Sequence, residues 1–327
     1  MISFIHTFRF GKLAFVMLDV CLLGTGGMMP LPNRWLSSLL MRYNGRMFLV
    51  DCGEGTQIPL KLSGWGFKAL DTIFFTHFHA DHISGLPGLL LTLGNSGKTD
   101  PLNLVGPPGL KKIVESLIVI SPNLPYPLHL YELPYVKNLG TQEEHGYPLC
   151  DQFFFRYSGG NHNIPCLTYS FEISRPGKFN PGLAKELNIP LLQWSCLQGG
   201  QTVTLEDGRT IEPHMVLGEP RRGIKLCYCT DTRPTSVMPT FFKDADLLIC
   251  EGLYGDDENL ENAAGKKHMV FSEAATLAKE SNASELWLTH FSPALKTPSE
   301  FICYAQNIFV NTKVGVDLLS TTLRFVD

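Results

Sequence analysis

The rest of the chain can be arranged around residues 76–86, which read Thr76-His77-Phe78-His79-Ala80-Asp81-His82-Ile83-Ser84-Gly85-Leu86. The apolar run Thr72–Phe75 comes directly before them and predicts a buried strand. Imidazole nitrogen and carboxylate oxygen are both good ligands for a divalent metal such as zinc. A polar loop with locally hydrogen-bonded histidines is the ordinary alternative. Four candidate ligands at this density favour a metal site instead.

The spacing of these side chains suggests two metal positions rather than one. His77 and His79 are two residues apart, so both can point to the same side of an extended segment. Asp81 and His82 follow as the chain turns, and they can address a second metal beside the first. Two ions need more ligands than this run supplies, so other parts of the chain must contribute.

Three further candidates stand where predicted strands end. Asp231 follows the run Lys225–Cys229, His290 follows Leu286–Thr289, and His162 lies between two more strand candidates. Taken alone, each residue has an ordinary structural explanation, as an aspartate in a turn or a histidine at the end of a strand. Loops at the ends of strands are where sites are usually assembled. Their shared position therefore predicts that they complete the metal site.

The composition is that of an ordinary globular protein, with 327 residues, 44% hydrophobic and 18% charged, and a net charge of -4. No global basic field indicates nucleic-acid binding, although a local basic patch can serve beneath an acidic average. The cysteines are scattered without a Cys-x-x-Cys pair, which favours reduced thiols in a cytoplasmic protein. We find no apolar stretch long enough to cross a membrane.

Residues 1–16 are mildly apolar but carry Arg9 and Lys12, and they do not read as a secretory signal. Met17 opens a segment that reads as a complete first strand. We therefore expect residues 1–16 to be an N-terminal extension and Met17 to be an alternative start.

Strand and helix patterns alternate along the chain. The predicted strands are Leu18–Leu23, Ser38–Tyr43, Met47–Val50, Thr72–Phe75, Leu102–Val105, Phe153–Tyr157, Leu167–Ile173, Lys225–Cys229, Leu247–Cys250, Leu286–Thr289 and Thr322–Val326. The clearest predicted helices are Leu110–Ile120, Ser272–Glu280 with Ser272 as N-cap, and Phe301–Phe309.

Hairpin-like pairs also occur, such as Leu39–Val50 with its turn at Asn44-Gly45. This mixture predicts an α/β layered domain with mixed sheets. The stretch 175–223 is richer in Pro and Gly and reads as an inserted or protruding arm, with a turn at residues 206–209. No linker separates two halves, so we expect a single domain over residues 17–327.

Several motifs together resemble one known family. They are Leu22-Leu23-Gly24-Thr25-Gly26-Gly27, Asp51-Cys52-Gly53-Glu54-Gly55-Thr56-Gln57, the histidine-rich run, Gly106-Pro107-Pro108-Gly109-Leu110, His162, residues 202–209, Asp231-Thr232-Arg233-Pro234, Lys267-His268 and Thr289-His290-Phe291-Ser292-Pro293. On these the chain resembles the metallo-β-lactamase superfamily, and within it the ribonuclease Z branch of tRNA 3′-processing endonucleases. The resemblance spans nearly the whole chain from Met17. It implies an αββα sandwich of two mixed β-sheets flanked by helices.

The resemblance also implies roles for the site residues. One zinc would be held by His77, His79 and His162, the other by Asp81, His82 and His290, with Asp231 bridging; manganese or iron remain alternatives to zinc. Two such cations lower the pKa of a shared water, so that hydroxide can attack phosphorus. Asp81 is also placed to accept a proton, and the family uses a histidine in the context of His268 as general acid. Glu251 is a candidate to orient His268, and Ser37, Ser38 and Arg233 are candidates to contact phosphate.

The chain departs from the family pattern in its arm. Leu191–Gly200 has neither the Gly-Pro nor the lysine-rich stretch with which the family grips tRNA, and Ala294-Leu295 replaces an arginine. Two functions therefore stay open. The first is removal of the 3′ trailer from precursor tRNA by a homodimer, with residues such as Arg221 and Arg222 or Lys266 and Lys267 binding RNA. The second is hydrolysis of a small phosphodiester or other ester. The intact ligand set argues against a non-enzymatic metal-binding protein.

Overall fold

The computed structural model describes residues 17–137 and 146–326, so the predicted extension at residues 1–16 lies outside the described part. Its strands are β1 (Met17–Gly24), β2 (Ser38–Tyr43), β3 (Arg46–Val50), β4 (Leu70–Phe74), β5 (Leu102–Gly106), β6 (Leu128–Glu132), β7 (Tyr147–Cys150), β8 (Phe153–Gly159), β9 (Leu167–Arg175), β10 (Val203–Thr204), β11 (Thr210–Ile211), β12 (Arg221–Cys229), β13 (Leu247–Glu251), β14 (Leu286–Thr289), β15 (Thr312–Val314) and β16 (Ser320–Arg324).

The strands form two large mixed sheets and one small hairpin. The first sheet has the order β16-β1-β2-β3-β4-β5-β6 and the second β15-β14-β13-β12-β9-β8-β7, while β10 and β11 pair alone. The helices are α1 (Gln57–Leu62), α2 (Ala80–Ile83), α3 (Leu86–Asn95), α4 (Leu110–Leu117), α5 (Pro181–Glu186), α6 (Leu191–Gln198), α7 (Met238–Phe241), α8 (Leu260–Lys266), α9 (Phe271–Glu280) and α10 (Ile302–Gln306). Short 3-10 turns follow α4 at Ile118–Ile120 and precede α10.

Three apolar clusters hold four layers together. The central one lies between the sheets and is rich in aromatic rings from both of them, including Phe74 and Phe153. A second packs α1, α3 and α4 on the outer face of the first sheet. A third packs α7, α9 and α10 on the outer face of the second. The predicted αββα sandwich is confirmed.

Local expectations from the sequence hold for most elements. The β2–β3 hairpin turns at Asn44 and Gly45, which both have positive φ, as a tight two-residue turn requires. Ser272 is not the N-cap of α9, because the helix begins at Phe271 and Val270 holds that position. The Glu273 carboxylate accepts the Val270 N–H, so a side chain inside the helix caps its first turn. Leu110–Ile120 forms α4 and the 3-10 turn behind it.

The segment between β9 and β12 has a small apolar cluster of its own, built from α5, α6, the β10–β11 hairpin and their loops. Gly208 has a φ of 88° in the predicted hairpin turn. The sequence assigns residues 175–223 to an arm; β9 runs through Arg175 and β12 starts at Arg221, so the segment between the strands is slightly shorter. Among the described residues, no helix has both the length and the hydropathy to traverse a bilayer.

Parallel pairing decides where the chain exposes its functional loops. β3, β4 and β5 are parallel neighbours in the first sheet, and β12, β13 and β14 are parallel neighbours in the second. Because parallel strands end on the same side, the loops after β3 and β4 leave one edge of their sheet together, as do those after β12, β13 and β14. These loops carry most of the side chains that the sequence analysis selected, whereas His162 follows β8, an antiparallel strand of the second sheet.

Phe74 tests the packing between the sheets, because its ring contacts Phe155, Tyr169 and Phe171 at centroid distances of 4.9, 5.4 and 5.1 Å. We expect Phe74→Ala to lower the free energy of unfolding by about 3–5 kcal/mol, since it leaves a cavity among buried rings. Urea unfolding measures this. Val310→Ala, at a residue 81% exposed, is the control and should change stability by less than about 0.5 kcal/mol.

Candidate metal centre

The histidine-rich loop leaves β4 and turns into the short helix α2. Gly85, at the end of this turn, touches the loop that follows β3: a side chain there would put its Cβ 1.9 Å from the Gly53 carbonyl oxygen. The Gly85 N–H donates to Cys52 and the Cys52 N–H donates to the His82 carbonyl. This close backbone contact fixes Asp81 and His82 at the edge of the sheet.

A first group of donors consists of His77, His79, His162 and Asp231. His79 Nδ1 lies 3.0 Å from His77 Nε2 and 3.2 Å from His162 Nε2. Asp231 Oδ2 lies 3.6 Å from His77 Nε2 and 4.0 Å from His162 Nε2. Ligands about 2.1 Å from a tetrahedral metal are about 3.4 Å apart, so these four atoms have the spacing of a coordination shell.

A second group consists of Asp81, His82 and His290. His82 Nε2 and His290 Nε2 are 3.2 Å apart, and each is 3.6 Å from Asp81 Oδ2. The other carboxylate oxygen of Asp231, Oδ1, completes this group at 3.2 Å from His82 Nε2 and 3.1 Å from His290 Nε2. Asp231 therefore faces one group with each of its oxygens.

Asp231 Oδ1 is buried and has no hydrogen-bond partner among the residues that the structure describes. Its two nitrogen neighbours do not supply a donor in good geometry, although they lie close. A buried carboxylate oxygen without a partner is costly, and a cation is the natural counterpart. The donors are nitrogen and oxygen atoms throughout, as in hydrolytic metal sites rather than thiolate structural sites. The residues present thus fit divalent metal.

For His82 and His162, outer hydrogen-bond partners determine which ring nitrogen faces the centre. The His82 Nδ1–H donates to Asp51 Oδ2 at 2.8 Å, and the His162 Nδ1–H donates to the Lys267 carbonyl at 3.2 Å. Both acceptors leave Nε2 free to carry a lone pair toward the centre. Such hydrogen bonds orient the rings of metal-binding histidines. Asp51 itself is held by the Thr76 N–H at 2.8 Å.

Three residues at strand ends adopt the left-handed conformation, which is rare outside glycine. Asp51, Asp231 and His290 have φ values of 61°, 49° and 59° and follow β3, β12 and β14. Strained backbone of this kind is concentrated at functional sites and persists when surrounding contacts determine it. Here it turns each side chain back toward the shared edge of the sheets.

Gly27 allows His290 to reach its place. A Cβ at this position would lie 2.7 Å from His290 Cε1, closer than real side-chain contacts permit. The Gly27 N–H also donates to the Phe291 carbonyl at 2.9 Å, which fastens the loop after β1 to the loop after β14.

Burial and neighbouring charges both shift the pKa values of the clustered side chains. Burial favours the neutral form of His77, and neighbouring histidines lower its pKa further, well below its usual value. Burial alone would raise the pKa of Asp231, but His290, His82 and His77 outweigh it and hold that pKa well below the usual range. Asp231 is thus a carboxylate, the form that binds cations.

His268 lies at the rim of the cluster, with Nε2 3.8 Å from Asp231 Oδ2 and Nδ1 3.0 Å from Glu251 Oε2. Burial lowers its pKa, but the fully buried Glu251 carboxylate raises it more, to about 9. His268 also belongs to a possible ligand group with Asp231 and His290. The two four-membered donor groups described above are complete without it, however.

The suggested contact of Arg233 with phosphate stays a prediction, and the structure shows other partners for its guanidinium. Its guanidinium forms a two-pronged ion pair with Glu273 and donates to the His268 carbonyl at 2.6 Å. It therefore fixes the backbone that carries His268.

Ser37 and Ser38 are both buried and their hydroxyls donate to backbone carbonyls, so their suggested contact with phosphate stays a prediction.

Comparison with known proteins identifies the family of the chain. Ribonuclease Z from Lachnospira eligens is 50% identical over 315 residues, covering 95% of this chain and 99% of its own length. The chain belongs to the ribonuclease Z family. The crystal structure of the short form of human tRNase Z is 27% identical, with a TM-score of 0.67 and coverage of 93% of this chain and 98% of that one.

The other comparisons concern the fold and one section of the chain. The metallo-β-lactamase fold protein YhfI from Bacillus subtilis has a TM-score of 0.64 at 19% identity, covering 94% of this chain and 99% of its own. The model of the Anti-Pycsar protein Apyc1 family matches residues 18–117. For a ribonuclease Z family chain with this histidine and aspartate cluster, the prediction of a metal-dependent hydrolase is confirmed.

The structure brings together every side chain predicted for the site: His77, His79, Asp81, His82, His162, Asp231, His268 and His290. Their individual roles stay predictions. Sequence reasoning gave no role to Asp51, Thr76 or the Lys267 carbonyl, which support the histidines from outside. The sequence could have indicated Asp51, because this aspartate directly follows a predicted strand, in the same way that Asp231 follows one after a single intervening residue. The sequence could not have indicated the Lys267 carbonyl, since every residue has a backbone carbonyl.

Asp231 provides the direct test of the ribonuclease Z family metal centre. We expect Asp231→Asn to lose most bound metal, because the amide removes the negative charge that faces both donor groups. Elemental analysis of the purified protein measures metal per chain. Asp244→Asn is a matched control, since Asp244 also has positive φ but bonds Asn282 instead. Equal metal content in Asp231→Asn and wild type would contradict this role.

Proposed function

We propose that this ribonuclease Z family protein is a zinc-dependent endoribonuclease of the cytoplasm that removes the 3′ trailer from precursor tRNA. The observation that carries the proposal is the Asp231 carboxylate between two donor groups, each with the spacing of a tetrahedral shell. The family relationship indicates the substrate. The nine cysteines are all free thiols, in keeping with a reducing compartment.

Two zinc ions are the cofactors that we assign to the donor groups. His77, His79 and His162 would hold one, and Asp81, His82 and His290 the other, with Asp231 shared. When bound, such a pair lowers the pKa of water and stabilises charge on the oxygens of a phosphodiester. Nitrogen-rich ligand sets favour zinc over magnesium or calcium, while manganese and iron tolerate the same donors.

Proton transfer falls to two side chains. Asp81 accepts the Met28 N–H at 2.7 Å through Oδ2, and its position in the second donor group places it to accept a proton from water, while its lowered pKa keeps it ionised and makes it a weak base. Burial acts against that ionised form, but the hydrogen bond and charge of His290 prevail. His268 then serves as the acid for the leaving sugar oxygen, since Glu251 keeps its imidazole protonated at neutral pH.

Binding of tRNA must rely on contacts outside helix α6 of the arm, which has no basic residue. Lys266 and Lys267 immediately precede His268, although Lys266 Nζ donates to the Tyr254 hydroxyl. Arg222 pairs with Asp246 at the far end of β12. The missing arm charges are the observation that favours the second candidate, a small phosphodiester, because phosphate contacts supply much of the affinity for RNA.

A homodimer is the assembly that we propose, and an exposed apolar face supports it. Ile58 and Leu62 on α1, Leu91 on α3, and Val119 and Ile120 after α4 are all exposed on the helical layer of the first sheet. These elements are neighbours, since Ser121 bonds the Pro87 carbonyl at the start of α3. Contiguous exposed apolar patches on a folded protein usually mark interaction sites.

Precursor tRNA tests the activity directly. We expect purified protein to release the 3′ trailer, to lose this activity with EDTA, and to regain it with added zinc, because the donors hold the metal only reversibly. Gel analysis of labelled RNA measures cleavage, and mature tRNA is the control substrate. Chelator-sensitive hydrolysis of a simple phosphodiester, with the precursor left uncut at low salt, would favour the second candidate.

Glu251→Gln tests the proton donor through pH. The active form of His268 is protonated, and a pKa near 9 keeps it so at neutral pH. Removing the Glu251 charge lowers that pKa, so the alkaline fall in kcat should move to lower pH. His268→Ala should lose most activity and retain metal, whereas His214→Ala, at an exposed arm histidine, should match wild type. An unchanged alkaline limb in Glu251→Gln would exclude the pairing as the source of acidity.

Leu62→Glu with Ile120→Glu tests the dimer. We expect this double variant to sediment as a monomer, because two charges would be buried in the apolar contact. Analytical ultracentrifugation measures the mass. Leu192→Glu, at an even more exposed leucine of the arm, is the control and should remain dimeric. A wild-type chain that is monomeric at micromolar concentration would rule out the assembly.

A further inference from the structure

The loop after β1 carries two exposed apolar side chains, and its backbone contacts the metal centre. Met28 and Met29 are 56% and 54% exposed. The Met28 backbone N–H donates to Asp81 Oδ2 at 2.7 Å, and the neighbouring Gly27 backbone presses against the His290 ring. We call these two side chains the Met28–Met29 rim. Its position beside two side chains of the centre makes it part of the substrate's surroundings.

Hydrogen bonds hold the backbone of the loop that carries the rim. Leu31 and Arg34 exchange backbone hydrogen bonds of 3.0 and 3.1 Å, and the Trp35 N–H donates to Asp317 Oδ2 at 2.6 Å. The Arg34 guanidinium donates to the Leu295 carbonyl at 2.9 Å. Met28 itself has a φ of 69°, an unfavourable conformation for a residue with a side chain. The surrounding contacts therefore hold a strained residue in place beside Asp81.

Apolar thioethers have no use in holding a phosphate, which the cationic centre binds. They suit a flat aromatic ring, because the polarisable sulfur and its methylenes pack well on π systems. In an RNA chain the groups next to a phosphodiester are a sugar and a nucleobase, and the base is the flat one. Bases in single strands stack on aromatic side chains without sequence preference, and a thioether offers them a smaller polarisable surface of the same kind.

We infer that the Met28–Met29 rim receives the nucleobase of a nucleotide that flanks the scissile phosphate. This rests on the proposed function and makes the two methionines specificity-determining residues. The rim packs on the base while the backbone N–H of Met28 keeps Asp81 in position. A substrate with bases at the cut is thereby favoured over a diester that lacks them.

The test uses two precursor tRNAs that differ only at the two nucleotides flanking the scissile phosphate, which are abasic in one of them. Wild type should cleave the normal RNA with a kcat/KM roughly tenfold higher than the abasic one. The variant Met28→Gly with Met29→Ala should cleave both RNAs at about the lower rate. Glycine keeps the N–H to Asp81 and suits the positive φ, so the variant should fold and retain metal.

Val310→Ala, a truncation of another exposed apolar residue, is the matched control and should keep the tenfold preference. A double variant that keeps this preference overturns the inference. If wild type cleaves neither RNA, the proposed function fails instead. Fluorescence anisotropy then applies the same comparison to binding: loss of base preference in the variant supports the rim, and an unchanged preference, or none in wild type, overturns it.

Discussion

The structure depends on keeping one carboxylate buried between two sets of imidazoles. Asp231 is almost inaccessible to solvent, and one of its oxygens has no hydrogen-bond donor among the described residues. An isolated arrangement of this kind is unfavourable, since burial penalises the charge and the facing lone pairs repel. A bound divalent metal would make the arrangement favourable, because it attracts both the buried carboxylate and the facing lone pairs. The surrounding fold can be understood as the framework that holds these atoms at ligand spacing before any metal arrives.

That framework is made of strand ends and the hydrogen bonds behind them. Parallel strands deliver Asp51, Asp231 and His290 to one edge, and each turns through a left-handed residue. The loop after β12 is joined to its neighbours: the Thr232 N–H donates to Glu251 Oε1 at 2.6 Å, and the Asn161 N–H donates to Thr232 Oγ1 at 2.7 Å. The loops that carry Asp231 and His162 and the side chain of Glu251 are therefore one hydrogen-bonded unit.

The sequence predicted the sandwich and located all the cluster residues, because buried strands are continuous apolar runs and their ends carried conspicuous histidines and aspartates. It missed β6, β7 and β15, and also β10 and β11, which have two residues each. β6 mixes exposed and half-buried residues, β7 contains Pro148, and β15 has three residues, so each has a weak apolar signal. Ser272 looked like a cap by residue type, whereas Glu273 does that work from within the helix. The Arg233–Glu273 pair joins residues far apart in sequence, and no local pattern announces it.

The donors come from both sheets: the histidine-rich loop belongs to the first, while His162, Asp231 and His290 belong to the second. A metal bound here is consequently a further cross-link between two layers that apolar packing and a few backbone hydrogen bonds, such as that from Gly27 to Phe291, also join. Ligands that bind only the folded state shift the unfolding equilibrium by mass action. The lifetime of the folded chain in a cell is then tied to its supply of metal, so starvation for that ion would deplete the protein itself as well as its activity.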